Sequence, residues 1–410
     1  MYNINYLKHL SPIFENSFPD KYINDVKGWG ISKELLHSKN EDNTYKLLTL
    51  DIDLGSECRL SCPHCFRKSK SLKTHNPPLD YEKILNLISE AKTLGLQSIK
   101  ILGAGEPFEN SEIYPFLIEV SNLGIHIAVF TKGHILGADG LVKKYYGEYG
   151  FSNSIDFIRA LSKINVSILL GFNSFKKDVQ EAFVGVTPNH KIANYVELRD
   201  RALSILIHEG FNKYKPNEAS RLALIAAPIK PENIDEIFDI YVWGRRRNIY
   251  VLSCPTTVSG LGIYELEREK AVYDFKEYVK DLKQLYIKIY IWNIENNLMT
   301  LDKFLEEGVS LYPGAHPCNQ VAAGMYITLN GKVMICPGRD DESFTIENDV
   351  RNKSLKEIWF NSSTYKMAKQ EDKFNYHCVA RDGHFFEDPT SFYNEIKDNV
   401  IKYFNNNGNK

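Results

Sequence analysis

No stretch of this 410-residue chain stays apolar long enough to cross a bilayer; LALIAAPI, from Leu222, is among the longest runs and is far too short. The opening MYNINYLKHLSPIFENSFPDK lacks the basic, apolar, then small-residue order of a secretion signal. Net charge is nearly absent as well, −2 from 50 Lys and Arg against 52 Asp and Glu. That removes the bulk electrostatic reason to expect nucleic acid or an anionic membrane as partner. There is no internal repeat of fixed period, and no low-complexity segment beyond the polar tail NNNGNK. Cysteine is scarce, with seven residues. In the cytoplasmic location these absences predict, thiols stay reduced, so seven cysteines ask for a metal or redox explanation before a disulfide one. What is present, 43% hydrophobic and 12% aromatic residues, suffices for one large α/β domain and a smaller one.

Continuous apolar runs alternate with amphipathic stretches from about Lys46 to Leu298. Strands are predicted at Leu47–Leu54, Ser98–Leu102, His126–Thr131, Val166–Phe172, Arg221–Ala227 and Asn248–Ser253. The stretches between them, several ending in Gly, read as helices. That alternation predicts repeated βαβ units around a parallel sheet, and leaves open whether the sheet closes. From about Leu311 the pattern turns irregular, with a hairpin signal at Asn330-Gly331 in MYITLNGKVMIC.

The string LDIDLGSECRLSCPHCFRK places Cys58, Cys62 and Cys65 just after the first strand, where folds of this kind collect their ligands. Three thiolates can hold three corners of a cubane [4Fe–4S] cluster and leave its fourth iron open. The alternatives are a zinc site completed by His64, or unconnected thiols. Zinc loops more often bring two CXXC-like pairs together, and only one lies here.

This CX3CX2C loop, followed by the aromatic Phe66, resembles the radical S-adenosylmethionine superfamily, whose open iron chelates the amino and carboxylate groups of that cofactor. ILGAGEPFEN resembles the family's GGEP segment, with Ala104 in place of its first glycine. The resemblance implies cofactor contacts from Phe66, Gly105, Glu106 and Pro107, from Thr131 at the end of the third strand, and from Asn173 and Ser174 at the end of the fourth. For Ser174, capping of the following helix is an equal reading. Residues Ser253–Thr256 would reach the same rim.

Farther on, Cys318, Gly331 and Cys336 form CX12GX4C, with Cys378 after a gap. With IENDVRNKSLKEIWFNS, anchored by Leu355 and Trp359, they resemble the SPASM/twitch extension of that superfamily. The cysteine count fits the shorter, twitch-like form with one auxiliary [4Fe–4S] cluster on Cys318, Cys336 and Cys378. Its fourth ligand is left open among none, His377, Asp382, His384 and Cys254. A zinc site with His377, or buried thiols, is the plainer alternative for this set, and a small core residue the plainer one for Cys254.

Among other features, Arg245–Arg247 closes a predicted helix and reads as a solvated helix end. KKYYGEYGF at Lys143–Phe151 reads as a lid or a surface insertion. His316 is a possible cavity residue. Asp51 and Asp53 share one face of the first strand, as structural carboxylates or as a base.

The architecture expected is a partial (β/α)6 TIM-like barrel over residues 46–300, preceded by a cap (1–45). A small iron–sulfur domain (311–388) and a helix with a polar tail (389–410) follow it. The resemblance implies an enzyme that reductively cleaves S-adenosylmethionine, with electrons from a flavodoxin or ferredoxin, and uses the resulting 5′-deoxyadenosyl radical to take hydrogen from its substrate. Relatives acting on peptides often carry a leader-binding module of about eighty residues, more than 45 residues can hold. The expected substrate is therefore a small polar metabolite, a sugar, aminocyclitol or nucleoside, oxidised or rearranged. The alternatives are maturation of a ribosomally made peptide and, from another class, a non-catalytic zinc protein.

Overall fold

The structure, a computed structural model, describes residues 7, 9–67, 76–187, 192, 194–315, 318, 320–338, 348–368, 378 and 381–407. All six predicted strands form, most of them shorter than the apolar runs that announce them. They are β1 (Thr49–Ile52), β2 (Ser98–Ile101), β3 (His126–Thr131), β4 (Val166–Gly171), β5 (Leu222–Ile225) and β6 (Tyr250–Leu252). Every residue of β1, β2, β4 and β6 is buried. Such burial is what a parallel sheet covered on both faces requires, and it explains why these strands read as continuous apolar runs.

The helix Tyr81–Thr93 illustrates the connections. Asp80 caps its start by accepting the Lys83 N–H at 2.7 Å, and Gly95 turns the chain away beyond its end with φ +106°. Its buried residues Ile84, Leu87, Ile88 and Ala91 recur at helical spacing and face the sheet.

Two further strands, β7 (Gly324–Ile327) and β8 (Val333–Met334), follow in the C-terminal segment. The sheet order is β6-β5-β4-β3-β2-β1-β7-β8, so among the described residues the barrel is open. β1 to β6 pair in parallel with their sequence neighbours. β7 pairs in parallel with β1, Thr49 opposite Gly324, and turns back at Gly331 (φ +89°) into antiparallel β8. The C-terminal hairpin thus continues the barrel's own sheet. No helix among the described residues is long and apolar enough to cross a membrane.

The segment before β1 packs across the barrel. Val26 bridges to Ser220 ahead of β5, and the Trp29 ring meets those of Phe130 and Tyr312 at 5.8 and 5.9 Å. Here the arginine run departs from expectation. Arg245 is fully buried, its guanidinium 4.7 Å from the Tyr241 ring centre and 4.1 Å from that of Tyr250. Arg246 donates to the Asn16 carbonyl, and Arg247 to that of Leu10 at 2.8 Å. These arginines hold the N-terminal segment, because aromatic faces and orphan carbonyls replace the water a helix end would otherwise meet.

Candidate active site

Because β1 to β6 run parallel, their C-terminal ends share one rim, and a cavity opens there. Cys62, Cys65 and Phe66 line it on one side; Cys254, Cys318 and Cys336 line it on another. Cysteines some 250 residues apart in sequence therefore face a common space.

The first loop is held by backbone from three other places. Glu57 accepts the Glu106 N–H at 2.7 Å, the Ser61 N–H donates to Val184 at 3.1 Å, and Cys65 accepts the Leu261 N–H at 3.0 Å. Gly105 is obligatory for the first contact, since a Cβ there would stand 2.1 Å from the Glu57 carbonyl oxygen. The Arg59 N–H donates to the Glu109 carboxylate at 3.0 Å, and His134 meets the same carboxylate oxygen at 3.0 Å. The Arg59 guanidinium also donates to the Tyr145 hydroxyl at 3.0 Å. Neighbouring Tyr146 is buried, stacks on Phe157 at 4.1 Å and donates to the Phe108 carbonyl at 2.8 Å. The tyrosine-rich stretch is accordingly a brace for this loop.

Cys58 is exposed and lies outside the cavity wall, yet it is near enough to Cys62 and Glu106 to feel their charges. His64 is buried, packs edge-on to Phe183 at 5.6 Å, and is kept neutral by that burial. Among the described residues, no three His, Cys, Asp or Glu side chains converge as ligands of a single ion. A cubane asks for something different, thiolates spread around its corners, one per iron.

Glu106 and Thr131 line the cavity and touch each other. The Glu106 carboxylate accepts from the Thr131 hydroxyl at 2.6 Å and the Lys132 N–H at 2.8 Å, which ties the end of β2 to that of β3. Burial pushes its carboxyl above the usual range. Pro107 opens the short 3-10 turn behind it and is buried.

Asn173 and Ser174 depart from expectation, for neither lines the cavity. The Asn173 amide donates to the Ala227 carbonyl at 2.7 Å, and its N–H to Gln180 at 2.7 Å. The Ser174 hydroxyl donates to Glu236 at 2.9 Å and accepts the Lys176 N–H at 2.9 Å. These bonds hold Asn173 against the chain leaving β5 and Ser174 against Glu236, while the helix Lys177–Val184 begins at Lys176 without a side-chain cap, so the capping reading of Ser174 is not met either.

One charged group that the strand pattern did not single out also reaches the cavity. Lys100, on β2, donates to Asp51 at 3.2 Å and to Gln320 at 2.8 Å, with its ammonium 5.2 Å from the Trp29 ring centre. Burial raises the Asp51 carboxyl, against the opposing pull of Lys100. Asp53 instead pairs with Arg67, just past the first cysteine loop, and accepts the Tyr326 hydroxyl at 2.7 Å. The visible clue was a lone lysine inside the apolar SIKIL; the face it points to was not visible.

The second cysteine set gathers beside β7. Cys318, Cys336 and Cys378 lie near enough for their charges to act on one another. Burial pushes the Cys336 thiol up, so metal binding there would release a proton. Cys336 accepts the Gly338 N–H at 3.3 Å, and Cys378 lies 3.6 Å from an Arg381 nitrogen that donates to it. Such donors suit a thiolate-ligated cluster. His316 and His377 lie outside the described residues, as does the side chain of His384.

Comparison with known proteins accords with this geometry. A family model described as the radical SAM superfamily matches residues 52–222, and one described as an iron–sulfur cluster-binding domain, SPASM, matches residues 318–382. A PqqA peptide cyclase of Rhizobium meliloti (strain 1021) is 20% identical over 322 residues, covering 78% of this chain and 75% of that protein. Among solved structures, Streptococcus suis SuiB bound to the precursor peptide SuiA aligns with TM-score 0.52 and 18% identity, over 80% of this chain and 67% of that one. anSMEcpe with bound AdoMet aligns with TM-score 0.53 and 14% identity, over 87% and 96%. The first match brings S-adenosylmethionine and a [4Fe–4S] cluster as cofactors, the second auxiliary iron–sulfur, in place of the zinc alternative. The chain carries a radical S-adenosylmethionine superfamily domain over residues 52–222 and a C-terminal iron–sulfur domain of the SPASM type over residues 318–382.

Proposed function

We propose that this enzyme modifies a ribosomally made peptide by radical chemistry. The observation that carries the reading is likeness to a peptide cyclase along about three quarters of both chains. It favours the maturase alternative over the small polar metabolite expected from sequence. The cavity supports the same choice. Lys100, Asp51, Gln320, Glu106, Lys132 and Arg381 give it charged and polar points, and much of the remaining wall is apolar, with Trp29, Phe130, Leu169, Ile225 and Leu252 among it. A sugar or cyclitol would ask for polar partners on most sides, whereas a peptide side chain suits such walls.

In this reading Cys58, Cys62 and Cys65 hold the first cluster, and Phe66, Gly105, Glu106 and Thr131 form the wall facing S-adenosylmethionine. Cys318, Cys336 and Cys378 hold the auxiliary cluster across the cavity. When bound, the cofactors supply reductive cleavage and hydrogen abstraction. The chain's own residues place the substrate, exclude water, and offer the buried Asp51–Lys100 pair as a proton-handling group near it.

The test is anaerobic turnover with S-adenosylmethionine and a reduced flavodoxin, offering short peptides encoded beside the gene in parallel with a panel of sugars, aminocyclitols and nucleosides. A mass change in a peptide, matched by 5′-deoxyadenosine release, is the expected result. Turnover of a metabolite with every peptide unchanged would overturn it.

A further inference from the structure

Three cysteines of the second set leave one corner of a cubane without a ligand, and the structure holds a candidate outside the C-terminal segment altogether. Cys254 follows β6 on the opposite edge of the barrel sheet from β7. It is 3% exposed and lines the same cavity as Cys318 and Cys336. Its thiol is near enough to Cys378 and Cys318 to feel both charges. The open barrel brings its two edges together here, so the sixth strand and the C-terminal segment share one corner of the cavity.

Arg381 joins Cys378 to the loop that carries Cys254. This buried guanidinium donates to Cys378 at 3.6 Å, to the carbonyl of Pro255, next to Cys254, at 3.1 Å, and to the Thr257 hydroxyl. One residue thus fixes the Cys254 loop against Cys378. A [4Fe–4S] cluster with four thiolates carries net negative charge, and a buried cation beside it offsets the cost of burying that charge. The other described candidate is already engaged. Asp382 accepts the Cys378 N–H at 2.6 Å on one carboxylate oxygen and the Tyr393 hydroxyl at 3.0 Å on the other.

We infer that Cys254 is the fourth ligand of the auxiliary cluster, completing a set with Cys318, Cys336 and Cys378. A cluster closed in this way has no open iron for substrate, so it takes part by exchanging electrons across the cavity. The inference rests on the auxiliary cluster alone, and stands whether the substrate is a peptide or a metabolite.

The test uses the full chain with Cys58, Cys62 and Cys65 all changed to Ala, so that iron reports only the auxiliary site. After anaerobic reconstitution that protein should hold about four irons and keep them through mild oxidation. Adding Cys254→Ala should make one iron labile, leaving the electron paramagnetic resonance signature of a three-iron cluster. Cys254→Ser is nearly isosteric, so it covers the case in which Ala disturbs the fold; it should shift the cluster's midpoint potential. Iron content, spectrum and potential unchanged in the Ser variant would overturn the assignment. So would loss of the fourth iron on changing His377 or His384 to Ala while the Cys254 variants keep it.

Discussion

Glu269 is a buried carboxyl with one oxygen bonded to the Thr256 hydroxyl at 3.0 Å and the other without a hydrogen-bond partner among the described residues. Burial pushes its pKa up from 4.5 to about 7, with Lys230 opposing and Glu265 and Glu232 adding to the rise. Between those two pH values the folded state binds more protons than the unfolded state, so this group's contribution to stability falls as pH climbs through the window. Glu269→Gln, which keeps the acceptor for Thr256, should therefore gain on the wild type in urea midpoint from pH 5 to pH 8. A difference that stays flat across that range would show that the carboxyl ionises without cost. The same kind of local bonding decided which site residues could be read in advance. Cys62, Cys65, Gly105, Glu106 and Thr131 were legible because short motifs fix them at strand ends, and they do line the cavity. Asn173 and Ser174 sit at an equivalent strand end but do not line the cavity, held instead by Gln180, Glu236 and Ala227, partners that lie up to 62 residues away in sequence. Arg245 misled for a different reason, as its two aromatic partners, Tyr241 in its own helix and Tyr250 on the next strand, are near in sequence and only the packing buries all three.

The elements themselves were largely legible, since a fully buried parallel strand writes its burial into a run of apolar residues. Their pairing was less so. Nothing in MYITLNGKVMIC says that its first strand lies beside β1, yet that pairing sets where Cys318 and Cys336 stand. The contact depends on Gly324, where a Cβ would meet the Thr49 carbonyl oxygen at 2.2 Å. Gly324→Val should push β7 off β1, at a cost of about 2 kcal/mol in stability. It should also lower the iron held by the second cysteine set while leaving the first loop loaded. Full iron content in that variant would mean that the strand pairing does not position the second set.

Across the molecule, the open sheet makes one chemical space out of distant parts of the chain. The first loop leaves β1, Cys254 leaves β6, and the C-terminal hairpin extends the sheet beyond β1, so that cysteines from all three regions border one cavity. The N-terminal segment adds Trp29 and Ile31 to the wall, a contribution its mixed composition did not announce. The most direct test compares wild type with the Cys58→Ala/Cys62→Ala/Cys65→Ala variant after anaerobic reconstitution, measuring iron and 5′-deoxyadenosine together. Wild type should hold about eight irons, as two cubanes require, and release 5′-deoxyadenosine on reduction, while the triple variant should keep about four and release none. A colourless, zinc-loaded wild type, or a triple variant that still cleaves S-adenosylmethionine, would contradict it.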